Sequence, residues 1–182
     1  LGSRIIFSKD VIENFFKRNL VNFHNSRLPL DAGGGNMSWR IMRNDRIDNQ
    51  LVHIIDEGID TGPILLTKKS IFPKNCQIPL DFEEFSKLNF LVFFQDFIEK
   101  ILKGKNFKLR HQINYIGRYN PRLDTKINGW IDWSLRSVDL IKFINAFDDP
   151  YNGAQTTINN LNVKIKKAQL HGGDSSNHPF MS

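Results

Sequence analysis

Leu20-Val21-Asn22-Phe23-His24-Asn25-Ser26-Arg27-Leu28-Pro29 is the stretch whose reading decides the fold. Residues 20–24 form a short apolar run, and Pro29 closes the loop that follows, so the pattern is a strand leaving a sheet. Alternation with period two puts the Asn22 and His24 side chains on one face of that strand. Upstream, Arg4-Ile5-Ile6-Phe7 reads as another strand. Ser8 is placed to cap an intervening helix whose apolar face would carry Val11, Ile12, Phe15 and Phe16. Strand, helix and strand within so short a span predict a parallel βαβ unit. In open α/β sheets ligands bind where strands end in loops. A carboxamide and an imidazole projecting together at such an end suit holding an oxyanion beside a proton carrier. Taken alone, however, the pair also reads as a turn-forming Asn beside a satisfied strand-end His.

A second stretch shifts that balance. His53-Ile54-Ile55-Asp56-Glu57-Gly58-Ile59-Asp60-Thr61-Gly62-Pro63-Ile64 reads as a strand end, an acidic glycine-containing turn and the start of another strand. Asp, Gly and Pro are turn residues in any case. Two polar segments at the same kind of strand end in one short chain are harder to assign to turn chemistry alone.

The remaining pattern predicts a short helix from residue 36 or 38 to 44, and strands over 50–55 and 63–71. A long helix over 79–102 follows, with its Phe and Leu residues facing the core. Residues 105–135 have little periodicity. A helix begins after Ser137 and stops before Pro150, and a strand with one wet face covers 162–170. Trp130, Trp133, Phe147 and Tyr151 are expected to form a small core under the helix after Ser137.

Of the 182 residues, 40% are hydrophobic and 24% charged, which excludes a disordered or collagen-like chain. The stretch 82–102 carries too many charges to span a bilayer, so no membrane partner is expected. One cysteine, Cys76, excludes a disulfide scaffold and a Cys-based zinc cluster, and points to a reducing, cytoplasmic setting. The formal charge of +6 is dispersed, with no basic stripe. It suits an anionic small ligand or solubility and argues against a nucleic-acid partner. His171, Asp174 and His178 sit among Gly and Ser and read as a surface loop, so no metal is expected.

Together the two polar stretches resemble the formyltransferase superfamily that uses 10-formyltetrahydrofolate. Its members include glycinamide ribonucleotide, methionyl-tRNA and sugar-nucleotide N-formyltransferases. The family's N-x-H-x-S-x-L-P is matched by Asn22, His24, Ser26, Leu28 and Pro29, and its D-x-G-x-D-T-G by Asp56, Gly58, Asp60, Thr61 and Gly62. The resemblance implies a Rossmann-like α/β fold with a mostly parallel sheet and 10-formyltetrahydrofolate as formyl donor. It also implies Asn22, His24 and Asp60 as the catalytic set, with His24 protonated by the pull of Asp60. Asp56, Glu57, Gly58 and Ile59 would form the loop around the pterin. His53 falls where the family often has a second histidine, and has both a site and a structural reading.

Further along, residues 119–133 and 145–154 are similar to the stretch that links catalytic and C-terminal regions in sugar formyltransferases and, more loosely, in the tRNA enzymes. That similarity makes a glycinamide ribonucleotide enzyme less expected. The loop Leu30-Asp31-Ala32-Gly33-Gly34-Gly35 is acidic and lacks the Lys and Arg a tRNA reader needs. Gly33, Gly34 and Gly35, with Ser26, are either turn formers or the backbone approached by the acceptor. The expectation is therefore a cytoplasmic formyltransferase acting on the amine of a nucleotide-linked amino sugar in surface-polysaccharide synthesis. It would work as a homodimer, as such enzymes often do. The alternatives are a methionyl-tRNA formyltransferase and an inactive paralogue. The chain reads as a fragment, with 1–115 a partial catalytic domain and 116–182 a linker helix and the start of a C-terminal β region.

Overall fold

The computed structural model describes residues 7–113 and 117–170. The expected strand at 4–7 therefore lies almost wholly outside the described residues, as do His171, Asp174 and His178. Strand β1 (Val21–His24) leads through β2 (Ala32–Gly33) and α1 (Asn36–Met42) into the hairpin β3 (Ile47–Ile54) and β4 (Ile64–Ile71). The long helix α2 (Pro79–Leu102) follows. Then come β5 (Tyr119–Asn120), α3 (Thr125–Asn128), α4 (Ser137–Ala146) and a hairpin of β6 (Ala154–Ile158) and β7 (Leu161–Ile165).

The α/β class is as expected, but strand direction is not. Among the described residues the larger sheet runs β1-β3-β4 and is antiparallel throughout. Parallel pairing among the described residues is confined to the two-residue β2–β5 pair and an isolated bridge between Trp130 and Gln155. The reason is local. The acidic turn joins β3 directly to β4 as a hairpin, and a direct connection can only reverse the chain. The helix expected after Ser8 is reduced to a five-residue π-helical turn, Val11–Phe15, with no side-chain cap. Of its four apolar residues only Ile12 is buried, while Phe15 is exposed.

Helix α2 has the predicted bounds. Pro79 occupies its first turn, and the Asp81 carboxylate accepts from the backbone N–H groups of Gln77 (2.8 Å) and Ile78 (3.1 Å). Gly104, in the left-handed region at φ +66°, ends it. One face buries Phe93 and Phe97 against Val52 of β3. Each such ring contributes about 1.5–3 kcal/mol. The opposite face is not core: Leu88, Leu91 and Val92 are 67%, 58% and 53% exposed.

A second cluster joins Met37, Ile41, Phe72 and Phe82 to Ile144, Ala146, Phe147 and Ala154, so the packing crosses the boundary expected near residue 115. Phe147 belongs to this core, whereas Trp130 and Trp133 are largely exposed, each donating its indole N–H once, to the Lys126 carbonyl and to Thr156. Strand β6 had no alternating apolar signal, since Gln155, Thr156 and Thr157 fill its centre. The wet-faced strand is β7, shorter than expected. Beyond it the chain turns at Lys167 (φ +55°), and the backbone N–H groups of Lys167 and Ala168 are taken by the side chains of Asp148 and Asn145.

Candidate active site

The register of β1 on β3 sets Asn22 directly across from His53 and His24 across from Leu51. Opposed residues of an antiparallel pair share a face, so Asn22, His24 and His53 converge. The two imidazoles stand nearly perpendicular, ring centres 6.4 Å apart. Asp60 completes the group. Its Oδ2 lies 3.6 Å from His24 Nε2 and its Oδ1 3.8 Å from His53 Nε2.

Asp60 arrives there because the turn after β3 is rigid. Asp56 Oδ1 accepts from the Gly58 N–H (3.2 Å) and the Thr61 hydroxyl (2.6 Å). A Cβ on Gly62 would collide with the Ile54 carbonyl, so only glycine fits. Asp60 itself takes the left-handed backbone at φ +57°, which Asp tolerates better than most residues. Gln112 clamps the turn from outside, its Nε2 donating to the carbonyls of Asp60 (2.8 Å) and Gly62 (2.7 Å). Gln112 carried no sequence signal: it sits in the aperiodic stretch, and only tertiary folding brings it here. At the tip, Glu57, Gly58 and Ile59 are exposed and free to meet a ligand.

The protonation states differ from expectation. His53 Nδ1 faces the Ile54 carbonyl at 2.9 Å and must donate to it. Its Nε2 is then the acceptor for the Asn22 amide N–H at 3.3 Å. Burial pushes the His53 imidazole below its ordinary value, against smaller upward pulls from Ile54, Asp60 and Asp56. His24 is also lowered. Burial dominates, and the Asp60 carboxylate opposes it without cancelling it. Burial thus disfavours the protonated form of His24, against the upward pull expected from Asp60. The His24 Nε2 is buried with no hydrogen-bond partner.

The remaining predicted site residues divide. Ser26 is wholly buried and cannot touch an acceptor. Gly33 (φ +96°) passes so close to the Asn120 carbonyl that a Cβ would collide there, and Gly34 packs on Arg122. Strand pairing with β5 therefore explains these two glycines, which do not form a loose turn. Gly33 and Gly35 nonetheless line a cleft of about 610 Å³ together with His24, Gln50, Lys87 and Tyr151; Gly34 does not.

The loop is not acidic in effect either. Asp31 is buried, accepting from Arg27 Nε (2.9 Å) and Arg118 (2.8 Å), with Arg43 at 3.6 Å. Burial pushes its carboxyl up, but Arg118 and Arg27 overcome this and hold it below the usual range. Arg27 also pairs with Asp45, which leaves three cations against two anions.

An α/β chain with a carboxamide, two imidazoles and a carboxylate gathered at a strand end carries the groups that proton transfer beside a developing negative charge would use. Residues 125–180 match the family described as formyl transferase, C-terminal domain. The methionyl-tRNA formyltransferase of Myxococcus xanthus is 28% identical over 172 residues, 94% of this chain and 53% of that protein. The crystal structure of the N-formyltransferase from Helicobacter canadensis, solved with folinic acid and dTDP-3-aminofucose, superposes with a TM-score of 0.68 at 26% identity. It covers 81% of this chain and 53% of that one. The methionyl-tRNA formyltransferase from Clostridium thermocellum shares the fold (TM-score 0.69, 22% identity, 95% and 71% covered). Over most of its length the chain is similar to formyltransferases, and residues 125–180 match their C-terminal domain family. It spans about half the length of the curated relatives it matches. No helix among the described residues is long and apolar enough to cross a membrane.

Proposed function

We propose that the protein containing this chain moves a formyl group from 10-formyltetrahydrofolate to the primary amine of a nucleotide-linked amino sugar. The observation that carries this reading is the approach of Asp60 to His24 Nε2 at 3.6 Å, beside a carboxamide already oriented by His53. The orphaned, buried His24 Nε2 fits a site that expects a bound group. The folate supplies the one-carbon unit when bound. Asn22 has one amide N–H engaged by His53, and its second N–H is left to meet negative charge building on the formyl oxygen. Losing such a donor costs about 3–4 kcal/mol of transition-state stabilisation. Neutral His24 accepts the proton released by the attacking amine and returns it to the departing nitrogen, and Asp60 stabilises the imidazolium in between. Asp56, Glu57, Gly58 and Ile59 form the rim that takes the pterin. Residues 1–115 serve transfer, and 116–182 link to and begin the C-terminal region. Buried, reduced Cys76 suits a cytoplasmic setting.

The sugar acceptor is supported by the Helicobacter canadensis relative, whose structure holds dTDP-3-aminofucose. A methionyl-tRNA acceptor is the second reading, favoured by the similarity to the Myxococcus xanthus enzyme and by the excess of Arg around Asp31. The deciding experiment supplies the full-length protein and 10-formyltetrahydrofolate with either dTDP-4-amino-4,6-dideoxyglucose or charged initiator tRNA. Formylated sugar is expected; formylation of the tRNA alone would overturn the choice.

A further inference from the structure

Gln50 lies on the face of β3 opposite to His53, where its amide meets Ser86 of α2. It is 3% exposed, yet it lines the same cleft as His24. Its amide has a decided orientation. Nε2 donates to both oxygens of Asp48, each at 3.2 Å, and to the Ser86 carbonyl at 3.3 Å. All three are acceptors, so the nitrogen must face them and the carbonyl oxygen must face away. Gln50 Oε1 takes no protein donor among the described residues.

What holds the amide that way is Asp48. This carboxylate is fully buried and gathers the Ser86 hydroxyl (2.7 Å), the Asn89 amide (2.9 Å) and the Ser70 hydroxyl (3.3 Å) in addition to Gln50. Asn89 in turn donates to Ser70 at 2.9 Å, so that hydroxyl is fixed as a donor to Asp48. Rotating the Gln50 amide by half a turn would set its oxygen against the Asp48 carboxylate and the Ser86 carbonyl, an arrangement of acceptors alone.

We infer that Gln50 is a specificity-determining residue of the acceptor cleft, presenting Oε1 as a fixed hydrogen-bond acceptor for an O–H or N–H of the amino-sugar substrate. Asp48 is the positioning residue that fixes its orientation. This rests on the acceptor reading given above. An acceptor on the cleft wall that is locked in one orientation favours a ligand that brings a donor over an analogue lacking it, because the amide cannot turn to offer its N–H instead. The selected chemistry is a hydroxyl-bearing or amine-bearing sugar ring over an apolar or O-methylated one.

The test uses the full-length protein, with dTDP-4-amino-4,6-dideoxyglucose as acceptor. Gln50→Met keeps the shape and removes both polar groups. Asp48→Asn keeps the size but lets the Gln50 amide turn over. The KM for the sugar nucleotide is expected to rise roughly tenfold in both, one hydrogen bond's worth. The KM for 10-formyltetrahydrofolate should stay within twofold, and kcat should move less than the acceptor KM. Calorimetric titration of the sugar nucleotide without folate is expected to show the same weakening. A folded Gln50→Met protein that binds and turns over the sugar with unchanged KM would overturn the subsite while the transfer reading stands. Weakened binding in a protein whose wild type transfers nothing would overturn the transfer reading while the subsite stands. A wild type that neither transfers to nor binds the sugar nucleotide would overturn both.

Discussion

Two buried polar clusters lie on opposite faces of β3, and they are finished to different degrees. Around Asp48 both carboxylate oxygens are used: four side chains from β3, β4 and α2 donate to one carboxylate. Around Asp60 the groups approach but do not close. His24 Nε2 and Asp60 Oδ2 stop 3.6 Å apart, and that nitrogen has no partner. Burial makes an unmet polar group costly, so a saturated cluster stabilises and an open one is tolerated where a ligand completes it. Asp48 is tied into the architecture, whereas Asp60 is left open for the chemistry proposed above.

The sharpest way to break this contrast is to mutate each carboxylate and compare stability with rate. Asp60→Asn should lower kcat/KM by about 10²–10³-fold, since charge stabilisation of the imidazolium is lost. Its melting temperature should barely move. The pH profile adds a second reading. Burial already places His24 below 6.5, so the acid limb of kcat/KM should lie below pH 6.5 in the wild type. Asp60 is the group that pulls His24 upward, so the limb should move further down in Asp60→Asn. An acid limb above pH 6.5 would mean that the imidazole is not governed by burial. The same depression has a stability consequence. Both histidines bind protons less tightly folded than unfolded, so stability should decline as pH falls through 6.5 toward their depressed values.

Asp48→Leu should show the opposite partition. It removes the acceptor shared by Gln50, Ser70, Ser86 and Asn89 and takes the buried Ser86 hydroxyl's partner away, and a loss of about 2–4 kcal/mol in denaturant unfolding is expected. Equal loss of stability in Asp60→Asn would erase the distinction between the clusters. The smallest effect is expected at Gln112, which touches neither cluster's carboxylate but clamps the turn carrying Asp60. Gln112→Ala should cost about tenfold in kcat/KM with a raised KM for the folate, reflecting one lost positioning contact. Retained kinetics there would show that the turn holds its shape through Asp56, Thr61 and Gly62 alone.

Much of this site could be read from residues near each other in sequence. Asn22 and His24 sit two apart on a strand, so period two alone placed them on one face, and helix α2 was legible to its ends because Pro79 and Gly104 bracket its pattern. Asp56, Thr61 and Gly62 close the turn through contacts within a few residues, so their types carried the signal. The reading failed where partners are distant. Asp31 looked acidic because Arg43 and Arg118 are remote in the chain. Gly33 and Gly34 looked loose because their constraint is a strand about 87 residues away.

What the linear order determined is therefore the elements and the chemical groups set on them, since helix and turn preferences act over a few bonds. The tertiary structure decided which way strands run, which carboxylate meets an imidazole and which is sealed beneath a helix. It also decided whether that imidazole is charged, because desolvation depends on everything packed around a side chain and on nothing adjacent to it in the chain.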